Sequence, residues 1–447
     1  MKNLAQSIGN IFQIKDLRNK ILITLGIIAL YRLGGHITIP GINISALHDH
    51  FQASGSGNLL GLYDMFAGGA FKKAAIFATG IMPYITASII FQLLGAVFPY
   101  FQKLKEEGEE GQRKLTQYTR YATVAVAAFQ SIGISYFLSG IVIEGRQVVT
   151  IPGFGFNLLA ILTITTGAIL VMWLAEQITE YGIGNGMSIL IMTGIIARIP
   201  PSIIQEISDL LAYDFGSAMM RNRLFELVFI LVAMIGFLVV AILLTQGTRQ
   251  IPVTYPKRIV GRKMYRGQSV HLPLRLNAAG VIPVIFAQSV MFLPGLLIGA
   301  LPSEAAITAT LSSMFGPTHV VYNMIYGLLV VFFAYFYTAV IFNPVDVAAN
   351  IKKNGGTIPG RSPGKETSQF IDKVLTRITL PGAIGLALIA ILPAILVQKL
   401  DFAFFFGGTS LIIITGVAVD TLQQIESKLV MRHYDGFLKK GKIRGRR

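Results

Sequence analysis

The chain has no cysteine. Disulfides, thiolate nucleophiles and cysteine-ligated metal sites are therefore excluded together. Charge is scarce: only 13% of the 447 residues are Asp, Glu, Lys or Arg, against roughly a quarter in a soluble globular domain. Histidine occurs only at positions 36, 48, 50, 271, 319 and 433, without the spacing a metal site needs. There is no Walker loop and no nucleophile motif, so neither a cofactor nor a catalytic residue is expected. Ionisable residues within the apolar runs are few. Arg32 is the clearest, with Glu176 and Asp420 near run ends. A proton or ion pump requires a relay of such groups, and none is seen. Arg32 is expected to snorkel or to pair with a carboxylate.

What the chain has instead is apolar length. Hydrophobic residues make up 53% of it. Ten runs are long enough to cross a bilayer as helices, at 21–40, 75–97, 121–140, 157–177, 184–204, 225–245, 275–298, 320–343, 376–397 and 404–425. The runs are continuous rather than alternating, which excludes a barrel and predicts an all-α polytopic membrane protein. Of the 38 Lys and Arg, all but Arg32, Lys72, Lys73, Arg146, Arg198, Arg221, Arg223 and Lys399 fall at the N-terminus, in the loops after runs 2, 6 and 8 with their helix ends, or in the C-terminal tail. The positive-inside rule then makes both termini cytoplasmic. No cleavable signal is apparent, so the first run is expected to remain in the mature protein. Ten spans with both ends on one side divide into five plus five, 1–208 and 209–447, and the second half enters the membrane inverted. The polar stretch 205–226 marks the seam, and no internal sequence repeat is evident.

Three segments on the positive side are polar. One is 99–120, with Lys105-Glu-Glu-Gly-Glu-Glu-Gly-Gln-Arg-Lys114. The second, 247–273, carries Arg249, Lys257, Arg258, Arg262, Lys263 and Arg266, and its alternation around Ile251-Pro-Val-Thr-Tyr255 predicts a hairpin. The third, 343–373, carries Lys352, Lys353, Arg361 and Lys365, with tight turns expected at Pro359-Gly360-Arg361-Ser362-Pro363-Gly364. The basic tail covers 427–447. One piece fits no span: Leu59-Leu60-Gly61-Leu62-Tyr63-Asp64-Met65-Phe66-Ala67-Gly68-Gly69-Ala70-Phe71 is apolar, glycine-rich and too short to cross. It reads either as a re-entrant half-helix or as an amphipathic segment on the outer surface. Ile81 and Ile85 share one helix face, as do Met187 and Ile191; by pattern alone these are packing or lipid-facing residues. Pro83 and Pro283 lie inside spans 2 and 7, where they would kink the helix or free backbone carbonyls. Gln92 and Asn277 place amides in the same two spans. Interhelical bonds of that kind contribute about 0.6 kcal/mol on average, weak enough to open.

Several long motifs, in order, resemble the SecY/Sec61-alpha family: Ala78-Thr-Gly-Ile-Met-Pro-Tyr-Ile-Thr-Ala-Ser-Ile-Ile90, Glu176-Gln-Ile-Thr-Glu-Tyr-Gly-Ile-Gly-Asn-Gly186, His271-Leu-Pro-Leu-Arg-Leu-Asn-Ala-Ala-Gly-Val-Ile-Pro283 and Phe405-Phe-Gly-Gly-Thr-Ser-Leu411. The similarity runs from about residue 15 to the C-terminus. It implies an hourglass pore between two five-helix halves, with Ile81, Ile85, Met187, Ile191, Ile285 and Ile413 as an apolar ring at the waist. An apolar constriction blocks ions by dewetting, and the flexible thioether of Met187 can join such a seal. The resemblance makes 59–71 the plug and makes spans 2 and 7, with Gln92 and Asn277, the lateral gate. It assigns the basic residues of the two later loops to the motor SecA and the ribosome, whose RNA phosphates attract Lys and Arg. The family tip usually reads Pro-Gly-Ile-Arg-Pro-Gly, whereas here Arg361 comes one place earlier and Ser362 stands at the arginine position; Gln250 follows Arg249 where the family often pairs arginines.

The expected function is the pore subunit of a protein-conducting channel in the bacterial inner membrane, not an enzyme. SecE-like and SecG-like small subunits, SecA, the ribosome, translocating polypeptides, a YidC-type insertase and the lipid bilayer are the implied partners. From the residues alone, a secondary transporter of a small solute ranks first; it predicts a polar, ligand-sized site at the midplane. An intramembrane protease is a third reading and predicts paired catalytic groups inside the spans.

Overall fold

In a computed structural model, residues 14–53, 59–143, 146–211, 218–255, 258–260, 263–265, 269–299, 310–311, 314–316, 319–400 and 407–440 are described. Lys257, Arg262, Arg266 and the last residues of the basic tail, 441–447, lie outside them. Among the described residues the helices are α1 Lys15–Gly34, α2 Ile44–Ala53, α3 Leu59–Phe66, α4 Met82–Val97, α5 Pro99–Glu106, α6 Glu109–Gly140, α7 Phe154–Tyr181, α8 Gly186–Ile196, α9 Ile199–Leu211, α10 Ala218–Gln246, α11 Ile282–Gly299, α12 Val320–Ile341, α13 Pro344–Lys353, α14 Lys365–Lys399 and α15 Gly408–Lys440. The strands described, β1 Val142–Ile143, β2 Arg146–Gln147, β3 Thr248–Thr254, β4 Arg258–Val260, β5 Lys263–Tyr265 and β6 Ser269–Arg275, pair as antiparallel two-stranded ribbons.

Among the described residues, seven helices are long and apolar enough to cross a membrane, or eight when the bent pair α4 and α5 counts as one span. The two other predicted spans correspond to α1, whose apolar stretch is bracketed by Lys20 and Arg32, and to α11, Ile282–Gly299. Large apolar side chains face outward: Leu22, Phe129, Phe225 and Leu328 are all exposed. Helix α10 is the extreme case. Its mean hydropathy is 3.3 and only 11% of the window is buried, as suits a helix walled by lipid.

Several helix boundaries differ from the expectation. Span 2 does not begin at 75: residues 67–81 form consecutive turns and the helix starts at Met82. Pro83 therefore does not kink it. Pro83 sits in the first turn of α4, and Pro283 likewise follows the first residue of α11. A first-turn amide has no helical acceptor, so proline costs nothing there. The polar stretch 99–120 is largely helical. After Phe98 the chain bends by 97° into α5, and α6 begins at Glu109 behind a positive-φ Gly108, with Glu109 and Glu110 favoured by the helix dipole.

The chain divides into two compact units. One comprises 1–208, 292–312 and 413–447; the other comprises 209–291 and 313–412. In the first, α6 packs on α7 through a polar ladder. Ser135 and Ser139 both donate to Asn157 Oδ1 at 2.9 Å, and Thr165 donates to Ser131 at 3.3 Å. Arg120 Nε meets Glu176 Oε1 at 2.8 Å across the same pair. Gly167 lets α7 approach the 67–81 turns, because a Cβ there would lie 2.1 Å from the Ile76 carbonyl oxygen. In the second unit, β3 and β6 form the predicted hairpin, with Ile251 opposite Leu272. Its inner face, Ile251, Val253 and Leu274, builds a small core with Ile351, Ile358 and Ile371. The bridge Thr254–Thr357 ties the two basic loops together.

Candidate functional site

The segment 59–71 lies in the first unit and most of its described side chains are buried. Its backbone forms α3, then turns at Gly68 and Gly69, whose φ values of +66° and +88° are those glycine tolerates. Tyr63, Asp64, Met65 and Phe66 are consecutive and all buried, and Ala67, Ala70 and Phe71 follow them inside. A surface-lying amphipathic helix would expose one face, so that alternative is removed. Tyr63 stacks on Phe292 with ring centroids 4.0 Å apart and meets Phe71 edge-on at 5.0 Å. Burial pushes the Tyr63 phenol well above its ordinary range.

Polar contacts fasten the same segment. Asp64 Oδ1 accepts the Lys72 amide at 2.9 Å, and Oδ2 lies 3.5 Å from Arg198 Nη1. The second contact is one of charge, since Oδ2 accepts no hydrogen bond. Among the described residues Arg32 pairs with no carboxylate, contrary to one expectation. Its Nη1 donates to the Gly68 carbonyl at 3.0 Å, so its charge is partnered by a backbone oxygen. Lys72, placed over the Phe51 ring, has its ammonium pKa lowered by burial and by Arg198, with Asp64 opposing. Gly68 also meets Gly194 of α8 closely: a Cβ on Gly68 would lie 2.9 Å from the Gly194 Cα. The sequence signal for these contacts was weak. Arg198 was one isolated cation at the end of an apolar run, and a partner 134 residues away has no periodicity to betray it.

The six waist candidates fall at helix starts or inside helices. Ile81 and Ile85, at the start of α4, are buried, as are Ile191 in α8 and Ile413 in α15; Met187, in the first turn of α8, is half-buried. In the second unit, Ile285 is buried near the start of α11. The two helix starts match locally. Gly80-Ile-Met-Pro-Tyr-Ile85 and Gly280-Val-Ile-Pro-Val-Ile285 each place a positive-φ glycine, at +53° and +62°, ahead of a first-turn proline. The amides of Ile85 and Ile285 bond the carbonyls of Ile81 and Val281 at 3.2 and 3.3 Å. This short repeat is spaced by 200 residues, too brief to stand out as an internal sequence repeat.

The gate amides bond locally. Gln92 Nε2 donates to Ser88 Oγ one turn back at 3.1 Å, and Asn277 Nδ2 donates to the Gly280 carbonyl at 2.8 Å. On the basic loops, Arg249, Lys352, Lys353, Arg361 and Lys365 are exposed. Arg258 and Lys263 lie on the paired strands β4 and β5. The Arg361 guanidinium rests 5.3 Å above the Phe370 ring, and Gly360 and Gly364 take the positive φ that the predicted tip turns need.

The SecY family model matches residues 75–422. The protein translocase subunit SecY of Aquifex aeolicus (strain VF5) is 39% identical over 440 residues, covering 98% of this chain and all of that protein. The chain belongs to the SecY family. It is thus a multi-pass membrane protein and a protein-translocation channel subunit rather than an enzyme. Solved SecY-family channels share its fold. A structure concerned with how the SecY plug domain stabilises the closed translocation channel and maintains a membrane seal aligns with a TM-score of 0.60 at 18% identity, covering 92% of each chain. Sec61 of the canine ribosome-channel complex aligns with a TM-score of 0.61 at 14% identity, covering 92% of this chain and 93% of that one.

Proposed function

We propose that this SecY-family chain is the pore subunit of a translocase in the bacterial inner membrane, with both termini cytoplasmic. The inverted halves 1–208 and 209–447 enclose an hourglass pore, and Ile81, Ile85, Met187, Ile191, Ile285 and Ile413 form its waist. Unfolded polypeptides pass outward through this ring, and apolar segments leave sideways between α4 and α11, where Gln92 and Asn277 border the gate. Such a ring makes no sequence-specific contact, so it parts for any chain while staying dry when empty. The segment 59–71 closes the resting channel as a plug. The exposed cations Arg249, Lys352, Lys353, Arg361 and Lys365, with the neighbouring Lys257, Arg258, Arg262, Lys263 and Arg266, dock SecA or ribosomal RNA phosphates. SecE-like and SecG-like subunits and a YidC-type insertase complete the assembly.

The observation that carries the sealing role is the burial of Tyr63, Asp64, Met65, Phe66, Ala67, Ala70 and Phe71, with Gly68 close against Gly194 of α8, the helix that also holds Met187 and Ile191. Its test is deletion of 59–71 in the reconstituted complex. Ion leak through the idle channel is expected to rise, and unchanged conductance with verified incorporation refutes the plug.

A further inference from the structure

Asp64 is the only carboxylate in 59–71 and is 0% exposed. Arg198, in the turn between α8 and α9, is the cation beside it, and Arg32, in the last turn of α1, holds the next turn of the segment through the Gly68 carbonyl. Both arginines belong to the framework, and both were unassigned by the pore, gate and docking roles. We propose that Arg198, with Arg32, is the positioning residue that seats 59–71: its guanidinium neutralises the buried Asp64 carboxylate, and a charged Asp64 stays seated only while Arg198 faces it. The proposal rests on the plug reading above for its consequence, though not for its geometry.

The physics is asymmetric. A buried ion pair adds little net stability, because desolvation offsets the attraction, but removing one partner leaves an uncompensated buried charge. Once the segment leaves its seat, Asp64 is hydrated and no longer needs Arg198. The pair is therefore a device that makes seating conditional. It also sets an order among variants. Arg198→Ala strands the carboxylate and unseats the segment. Asp64→Asn removes the charge while its amide oxygen still accepts the Lys72 N–H, and so disturbs seating little. The double variant has no stranded charge and returns to the Asp64→Asn level.

The natural absence of cysteine makes seating directly readable. Ala70, 2% exposed at the end of the segment, is replaced in the full complex (Ala70→Cys) and its reaction with a membrane-impermeant maleimide is timed. Arg198→Ala is expected to speed labelling at least about tenfold; the nearby Lys72 ammonium keeps the effect below that of a fully unpaired charge. Asp64→Asn stays within about threefold, and Asp64→Asn/Arg198→Ala matches it. Wild-type labelling in Arg198→Ala, or a double variant as fast as Arg198→Ala alone, overturns the proposal. An unfolding temperature of Arg198→Ala in detergent equal to that of the parent separates unseating from unfolding. If labelling follows this order while deletion of 59–71 leaves ion leak unchanged, the seating device stands and the sealing role falls.

Discussion

Replacing Gly68 by alanine perturbs the seat of 59–71 without removing any charge, and the structure allows its cost to be worked out. At φ +66° an L-residue pays about 1–2 kcal/mol. The new Cβ would also lie 2.9 Å from the Gly194 Cα and 3.0 Å from Arg32 Nη1. The first of these neighbours is backbone and cannot swing aside, and overpacking of this kind adds about 1–3 kcal/mol. Taking roughly 2–5 kcal/mol together, the ratio of seated to unseated segment falls about 30- to 4000-fold at 1.4 kcal/mol per tenfold. Gly69→Ala is the matched control. Its φ is +88°, yet nothing lies within 4 Å of its added Cβ, so only the backbone term of about 1–2 kcal/mol applies. The assay is idle-channel potassium efflux from proteoliposomes, with maleimide labelling at position 70 as the structural readout. Gly68→Ala should leak more than Gly69→Ala, and both more than the parent. Equal leak in the two alanine variants would refute the steric argument, and parental leak in both would refute the role of these turns in seating.

Asn157→Ala removes the acceptor shared by Ser135 and Ser139. A loss of about 1–2 kcal/mol is expected from two interhelical bonds in the membrane, seen as a lower unfolding temperature in detergent; an unchanged temperature contradicts the ladder's role. Gly186→Ala would set a Cβ 1.8 Å from the Ala175 carbonyl oxygen, so α7 and α8 could not meet as they do. The loss should exceed about 3 kcal/mol, whereas Gly236→Ala on the lipid-facing α10, with nothing within 4 Å, should keep or slightly raise stability. Similar behaviour of these two variants in thermal unfolding would show that the close approach at Gly186 is not rigid.

The spans were legible because lipid leaves no alternative to backbone satisfied within the segment, and 225–245 falls inside α10, matching its end within one residue and missing its first seven. The hairpin of β3 and β6 was legible through its alternation, and the 359–364 tip through its glycines and prolines. Helix starts were less so. Residues 75–81 are as apolar as those after them, and only the Gly80 and Pro83 pair marks where turns give way to helix. The waist residues could be paired by spacing but not told from ordinary packing residues; their reading as a ring came from resemblance. The fastening of 59–71 was invisible, because Asp64 with Arg198, Gly68 with Arg32, and Tyr63 with Phe292 are joined only by tertiary structure. Arg32 misled for the same reason: a carbonyl exposed by a glycine turn is an acceptor that sequence does not announce.

The central claim is that an apolar ring admits a polypeptide. A photoreactive side chain placed singly at Ile85, Ile191 or Ile285 should crosslink to a secretory chain stalled in the active complex, while the same probe at the lipid-facing Val232 should not. Adducts at Val232 with none at the three ring positions, in a complex shown to hold the chain, would contradict the account.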